Sequence, residues 1–170
     1  MEYSGSWTSP EALFERSLAS RPGSARMYTN LGHEALIAGN LDAAAEHSAM
    51  ALELDDTSAE ASLNLGAALE GMGRLSEAMA VYRKGTMLLE GRYGLAHINL
   101  CRLGTRLDPR GEGIEGSCEK GIRLRDDLAA GWVAHGHHQE RLGRVEAAEA
   151  SFLEAPRREP RNPLVFHELT

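Results

Sequence analysis

The chain has 170 residues and a formal net charge of -7, and its 24 Ala, 23 Leu and 19 Glu stand against only 14 β-branched residues. Strand formers are too scarce for a sheet-based core, so a β-sandwich or doubly wound fold is excluded and an all-α chain is expected. The acidic balance argues against a basic face for nucleic acid, and no apolar run approaches the ~20 residues of a bilayer span.

Ser9-Pro10-Glu11 places an N-cap before a proline at the first helical position, which predicts a lone helix over 9–20. Helix pairs follow near 26–38 with 42–54, 60–72 with 76–88, 95–107 with 112–124, and 130–142 with 146–156. Gly39 and Gly73 come just after the apolar periodicity of a first helix, where a left-handed glycine ends it. Asp42 and Ser76 then supply caps or first-turn polar groups for the second helix. Asp108-Pro109-Arg110-Gly111-Glu112-Gly113 replaces the compact turn in the third pair, and Gly113, Gly116 and Gly121 dilute the helix after it. Each interior glycine costs about 1 kcal/mol relative to Ala, so this pair is expected to be the weak joint. Asn162-Pro163 opens a last helix whose apolar slots hold Phe166 and Leu169.

The pairs repeat. Asn30-Leu31-Gly32 returns as Asn64-Leu65-Gly66, Leu41 as Leu75 and Ala44 as Ala78, each 34 residues later. Asn99-Leu100-Cys101 is a weaker copy one residue late, and Gly121 echoes Gly85 two residues late. The fourth copy carries Trp132-x2-His135-Gly136, Ala148-x3-Phe152 and Pro160. These residues resemble the tetratricopeptide repeat, whose signature of about 34 residues is W-x2-L-G-x2-Y, A-x3-F, P. The small residues at these slots let two helices approach, and Leu31, Leu65, Tyr82, Trp132 and Phe152 fill the layers around them.

The resemblance implies a right-handed superhelix of antiparallel helix pairs forming a single domain over 1–170. Its parts are a half-repeat at 1–24, repeats at 25–58 and 59–92, a degenerate third at 93–128, a fourth at 129–162, and the start of a further helix at 163–170. A chain that begins and ends in mid-repeat is read as capped by single helices or, preferentially, as cut from a longer protein.

In such repeats the first helices line a concave wall that takes peptides or partner helices. Arg26, Thr29, Asn30, His33, Glu60, Leu63, Asn64, Ala67, Glu70, Leu95, Ile98, Asn99, Arg102, Arg106, Val133, His137, Glu140 and Arg141 are the candidates for that face. Arg26, Asn30, His33, Asn64, Glu70, Asn99, Arg102, Arg106, His137 and Arg141 are the expected peptide-binding set. Asn30, Asn64 and Asn99 share one slot in consecutive copies, and an amide both donates and accepts, so a row of them suits an extended peptide backbone. The row is similar to the asparagine ladder of O-GlcNAc transferases, broken at Ala134; the competing reading is a merely solvated Asn. The clamp of Lys, Asn and Arg that grips chaperone tails in related repeats is matched only by Asn64, since Thr29, His33, Leu95 and Asn99 occupy the other slots.

His135 and His138 share a helix face, but no nearby Cys or spaced Asp completes a metal site, and His135, in a slot held by Leu in earlier copies, is expected to be a half-buried packing histidine instead. Cys101 and Cys118 read as inward-facing thiols, reduced by default and bonded if the compartment is oxidising. No Ser-His-Asp order, nucleophile elbow, phosphate loop or paired-carboxylate signature occurs, so neither catalysis nor a cofactor is expected.

Trp7-x5-Leu13-Phe14-x3-Leu18-x3-Pro22 resembles the junction between the last membrane span and the C-terminal repeats of membrane O-mannosyltransferase-like proteins. It implies a periplasmic or luminal partner-binding region whose catalytic part is elsewhere. It would also account for the lack of an export signal in Met1 to Pro10, and the other reading is a free-standing cytoplasmic scaffold. Both readings name a protein or extended peptide as partner, with no nucleic acid and no direct membrane contact.

Overall fold

A computed structural model describes residues 23–88 and 93–159. Among the described residues there are eight α-helices and no strand. They are α1 Ala25–Ile37, α2 Leu41–Leu54, α3 Ala59–Gly71, α4 Leu75–Gly85, α5 Gly94–Leu107, α6 Ile114–Leu124, α7 Ala129–Arg141 and α8 Val145–Arg158. The all-α expectation holds, and every predicted pair between 26 and 156 is present. The helices expected at 9–20 and after 162 lie outside the described residues.

Local chemistry sets the ends. Gly39 and Gly73 have φ of 74° and 75°, the left-handed conformation expected of them, and Gly143 shares it at 77°. After α1, Gly39 N–H donates to Leu36 O and Asn40 N–H to Ala35 O, the double bond that closes a Schellman terminus. Arg144 N–H and Gly143 N–H repeat it on Gln139 and Glu140. Asp42 sits in the first turn of α2, but the cap is Asn40, whose Oδ1 accepts from Ala43 N–H at 3.2 Å. Ser76 likewise sits in the first turn of α4, whose N-cap position is Arg74, its guanidinium held by a two-point bond to Glu77. α4 stops at Gly85, short of the expected 88, where Thr86 Oγ1 turns back to Arg83 O at 2.7 Å. α6 begins at Ile114 rather than 112 because Gly113 takes φ 76° before it.

The helices fall into two compact units divided between Gly73 and Arg74. In the first, α1 lies on α2 through Tyr28 stacked on His47 and through Gly32, where an added Cβ would collide with Ser48 Oγ at 2.4 Å. Leu41 of α2 fills the space beside Gly71 of α3.

In the second unit, the close contacts of α5 with α6 pair Gly94 with Arg125, Ile98 with Gly121, Cys101 with Cys118, and Gly104 with Ile114. The numbers in each pair add to a nearly constant total, which defines an antiparallel hairpin. His135 with Ser151 and Gly136 with Phe152 do the same for α7 and α8. By contrast Ile98 meets Gly131 and Thr105 meets His138 at one constant offset, so the first helices α5 and α7 run parallel. Leu103, Ile114, Tyr82, Ala129, Ala155 and His138 are buried at the centre. Each large apolar side chain sealed this way contributes about 1.5–3 kcal/mol.

Candidate peptide-binding face and the polar core behind it

In the first unit Arg26, Asn30 and His33 recur at i, i+4 and i+7 of α1 and are exposed, which puts them on one accessible stripe. Asn64 of α3 is different. It is 9% exposed, and its Nδ2 donates to the backbone carbonyl of Thr29 at 3.0 Å. The amide therefore ties two parallel first helices together. Thr29 turns its own hydroxyl back onto Ala25 O at 3.0 Å. Glu70 is half-buried at the far end of α3.

In the second unit Asn99 and Arg102 are half-buried, and Arg106 and Arg141 are exposed. His137 is committed on two sides: its ring meets Phe152 edge-on at 5.1 Å, and Nδ1 lies 3.4 Å from Glu140 Oε2. Ile98 and Val133, expected on the open face, are core residues at 4% and 7% exposure. Gly121 and Gly131 leave the room that Ile98 fills, a pairing of glycine with side chain that helical periodicity alone does not reveal.

A chain of polar contacts that sequence reasoning did not find runs behind this face. Ser151 Oγ donates to Ala147 O at 2.8 Å, so it accepts from His135 Nδ1 at 2.8 Å. The imidazole thus carries its proton on Nδ1, and Nε2 accepts from Gln139 Nε2 at 3.1 Å. Gln139 Oε1 accepts from Arg144 Nη1, which also bonds Glu115 of α6. Three helices are joined through one neutral ring. Beside it, His138 Nδ1 meets Thr105 Oγ1 at 3.1 Å, while Nε2 is buried without a hydrogen-bond partner. Burial pushes both imidazoles below their ordinary range, outweighing the opposite pull of Glu115 and Glu119 on His135 and of Glu115 on His138. The Arg144 guanidinium holds the Glu115 carboxyl below its usual value. The only sequence signal of this chain was Gln139 four residues after His135.

The expectation of a half-buried packing histidine describes His135 as it is found, and His138 is buried as well. Among the described residues, no three His, Cys, Asp or Glu side chains gather as a metal site would require. The default expectation of free thiols is overturned: Cys101 and Cys118 form a disulfide with Cα atoms 4.8 Å apart, because antiparallel packing brings the two positions face to face. No described helix is long and apolar enough to cross a membrane.

Paired helices closed by left-handed glycines, with parallel first helices presenting polar side chains, define a helical-repeat protein. Residues 59–88 match the family model of the tetratricopeptide repeat, and the chain has the fold of tetratricopeptide-repeat proteins. It is similar to MamA at 22% identity and a TM-score of 0.73, over 89% of this chain and 86% of that one. A thermophilic TPR protein of Thermus thermophilus shares the fold at 20% identity and a TM-score of 0.72, over 91% and 84% of the two chains. The first TPR of Spaghetti (RPAP3), bound to the HSP90 peptide SRMEEVD, matches at 21% identity and a TM-score of 0.58, over 68% and 90%. No curated protein matches the chain. These comparisons lend no support to a membrane glycosyltransferase origin, and the residues from Trp7 to Pro22 that suggested it lie outside the described part.

Proposed function

We propose that this chain is a non-catalytic scaffold that holds an extended peptide or a partner protein against the first helices of its repeats. The observation that carries the reading is the exposed polar stripe of Arg26, Asn30 and His33 on α1, with Glu34 exposed beside Asn30 one turn on. Asn99, Arg102, Arg106 and Arg141 extend the same chemistry on α5 and α7 in the second unit. A structural neighbour of the same fold is bound to a peptide, which supports the class of ligand. One N–H of the Asn64 amide is engaged by the Thr29 carbonyl, so this buried side chain positions α1 behind the exposed stripe. The clamp for chaperone tails is not proposed, since Thr29, His33 and Leu95 lack its cations.

The test is selection of a displayed peptide library on the purified chain, with binders remeasured against paired variants. Arg26→Glu with Asn30→Ala, and Arg106→Glu with Arg141→Glu, should each weaken binding at least tenfold with helicity unchanged. Binders indifferent to both pairs would remove the first-helix face from the proposal. Substrate turnover by the purified chain would overturn the non-catalytic reading.

A further inference from the structure

The second unit carries another open groove, of about 610 Å³, lined by none of the first-helix candidates among the described residues. Its floor is one stripe of α4 and the turn after it: Ser76, Met79, Ala80, Arg83, Lys84 and Met87, with Leu107 of α5 at one side. The spacing of i, i+3/i+4, i+7/i+8 and i+11 follows a single helix face for roughly 16 Å, about three turns. Ser76 at one end and Ala80 within the stripe are small and leave room above the helix. Its walls are apolar and adaptable: Met87 is 71% exposed and Leu107 is 44% exposed, and flexible methionines mould to a partner surface.

The charge of the groove is opposite to that of the molecule. The chain has 25 acidic against 18 basic residues, yet among the described residues the groove is lined by two cations and no carboxylate. Arg83 spends one weak contact on the Glu112 carbonyl at 3.4 Å, and Lys84 makes no ion pair among the described residues.

We infer that this groove is a second docking surface, fitted to an acidic amphipathic helix of a partner protein. Leucine-type side chains of such a helix lie between Met79, Met87 and Leu107, over Ala80, and its carboxylates meet Arg83 and Lys84. Apolar anchors at i, i+3/i+4 and i+7 match the length of the stripe, as in other helix-in-groove recognition. The cations add steering and orientation, so binding weakens as salt rises.

The experiment uses the full chain and a labelled fourteen-residue peptide of Leu at helical spacing with Glu elsewhere, beside the same peptide with Lys for Glu. Fluorescence anisotropy at low salt should show saturable binding of the Glu peptide, at least tenfold tighter than the Lys peptide. Arg83→Glu with Lys84→Glu should weaken the Glu peptide at least tenfold, and Ala80→Trp, which fills the groove, should do the same. Lys120→Glu, on exposed α6 surface, should change it less than twofold. Circular dichroism reports whether each variant is folded, and the surface double variant decides the matter if Ala80→Trp is not. Absence of binding, equal affinity for both peptides, or affinity unchanged in the double variant overturns the inference. So does concentration-dependent dimerisation abolished by Ala80→Trp, which assigns the groove to a second copy of the chain.

Discussion

Cys101 is bonded to Cys118 at the position where Gly136 meets Phe152 in the next hairpin and Gly32 meets Ser48 in the first unit. In each hairpin this is a point of very close approach: a Cβ on Gly136 would stand 2.4 Å from the Phe152 ring. The repeat geometry thus sets up in advance the short separation that a disulfide needs, and the third copy uses it with two cysteines in place of a glycine and a larger residue.

The bond closes a loop across 17 residues of separation, which corresponds to about 3 kcal/mol of stabilisation. Apart from the disulfide, α6 is held by the buried Ile114, Ser117 and Gly121 and by the Glu115 bond to Arg144. Full reduction under denaturing conditions should raise the mass by two hydrogens. Cys101→Ser with Cys118→Ser should raise amide exchange over 108–124 far more than over 129–158. Equal protection in both forms would show that the weak joint is held by packing alone.

Asn64→Ala should cost about 1–2 kcal/mol, because it removes the side-chain bond that joins α3 to the Thr29 carbonyl of α1. Asn30→Ala, at an exposed position, should cost under about 0.5 kcal/mol. Urea denaturation of the two variants separates a structural amide from a surface one in the same repeat slot.

Two glycine-to-alanine changes should have opposite signs. Gly136→Ala forces the Phe152 ring aside and should destabilise by about 1–3 kcal/mol. Gly116 lies within α6 with nothing inside 4 Å of an added Cβ, so Gly116→Ala should stabilise by up to about 1 kcal/mol. Thermal melts compare them directly, and a shift of the same sign in both would contradict the packing described.

Acidification should weaken the second unit. His135 and His138 are held below their ordinary pKa of about 6.5 by burial, so the unfolded chain binds more protons than the folded one in mild acid. Their full contribution to stability is therefore present above the unfolded value and is lost as pH falls below it. A proton on His135 Nε2 would face the Gln139 amide donor, and one on His138 Nε2 would be buried without an acceptor. The free energy of unfolding should be lower at pH 5 than at pH 7.5, and His138→Gln should flatten that dependence. A profile unaltered by the substitution would exclude His138 as a contributor.

The Asn-Leu-Gly recurrence, the left-handed Gly39 and Gly73 and the shortage of β-branched residues were enough to place the helix pairs, because spacing along one strand of sequence directly encodes helix length and turn position. The Cys101 and Cys118 slots were already in register with the glycine and aromatic slots of the other copies. Whether two such slots bond, however, depends on distance across the hairpin, and only the folded chain sets that distance. The same holds for Asn64 and Ile98, which periodicity assigns to an open face and packing draws inward. Side chains of one helix share a face by arithmetic. Which neighbour covers that face, and so which polar atom is spent on the fold and which is left for a ligand, follows from helix-on-helix packing between residues distant in sequence.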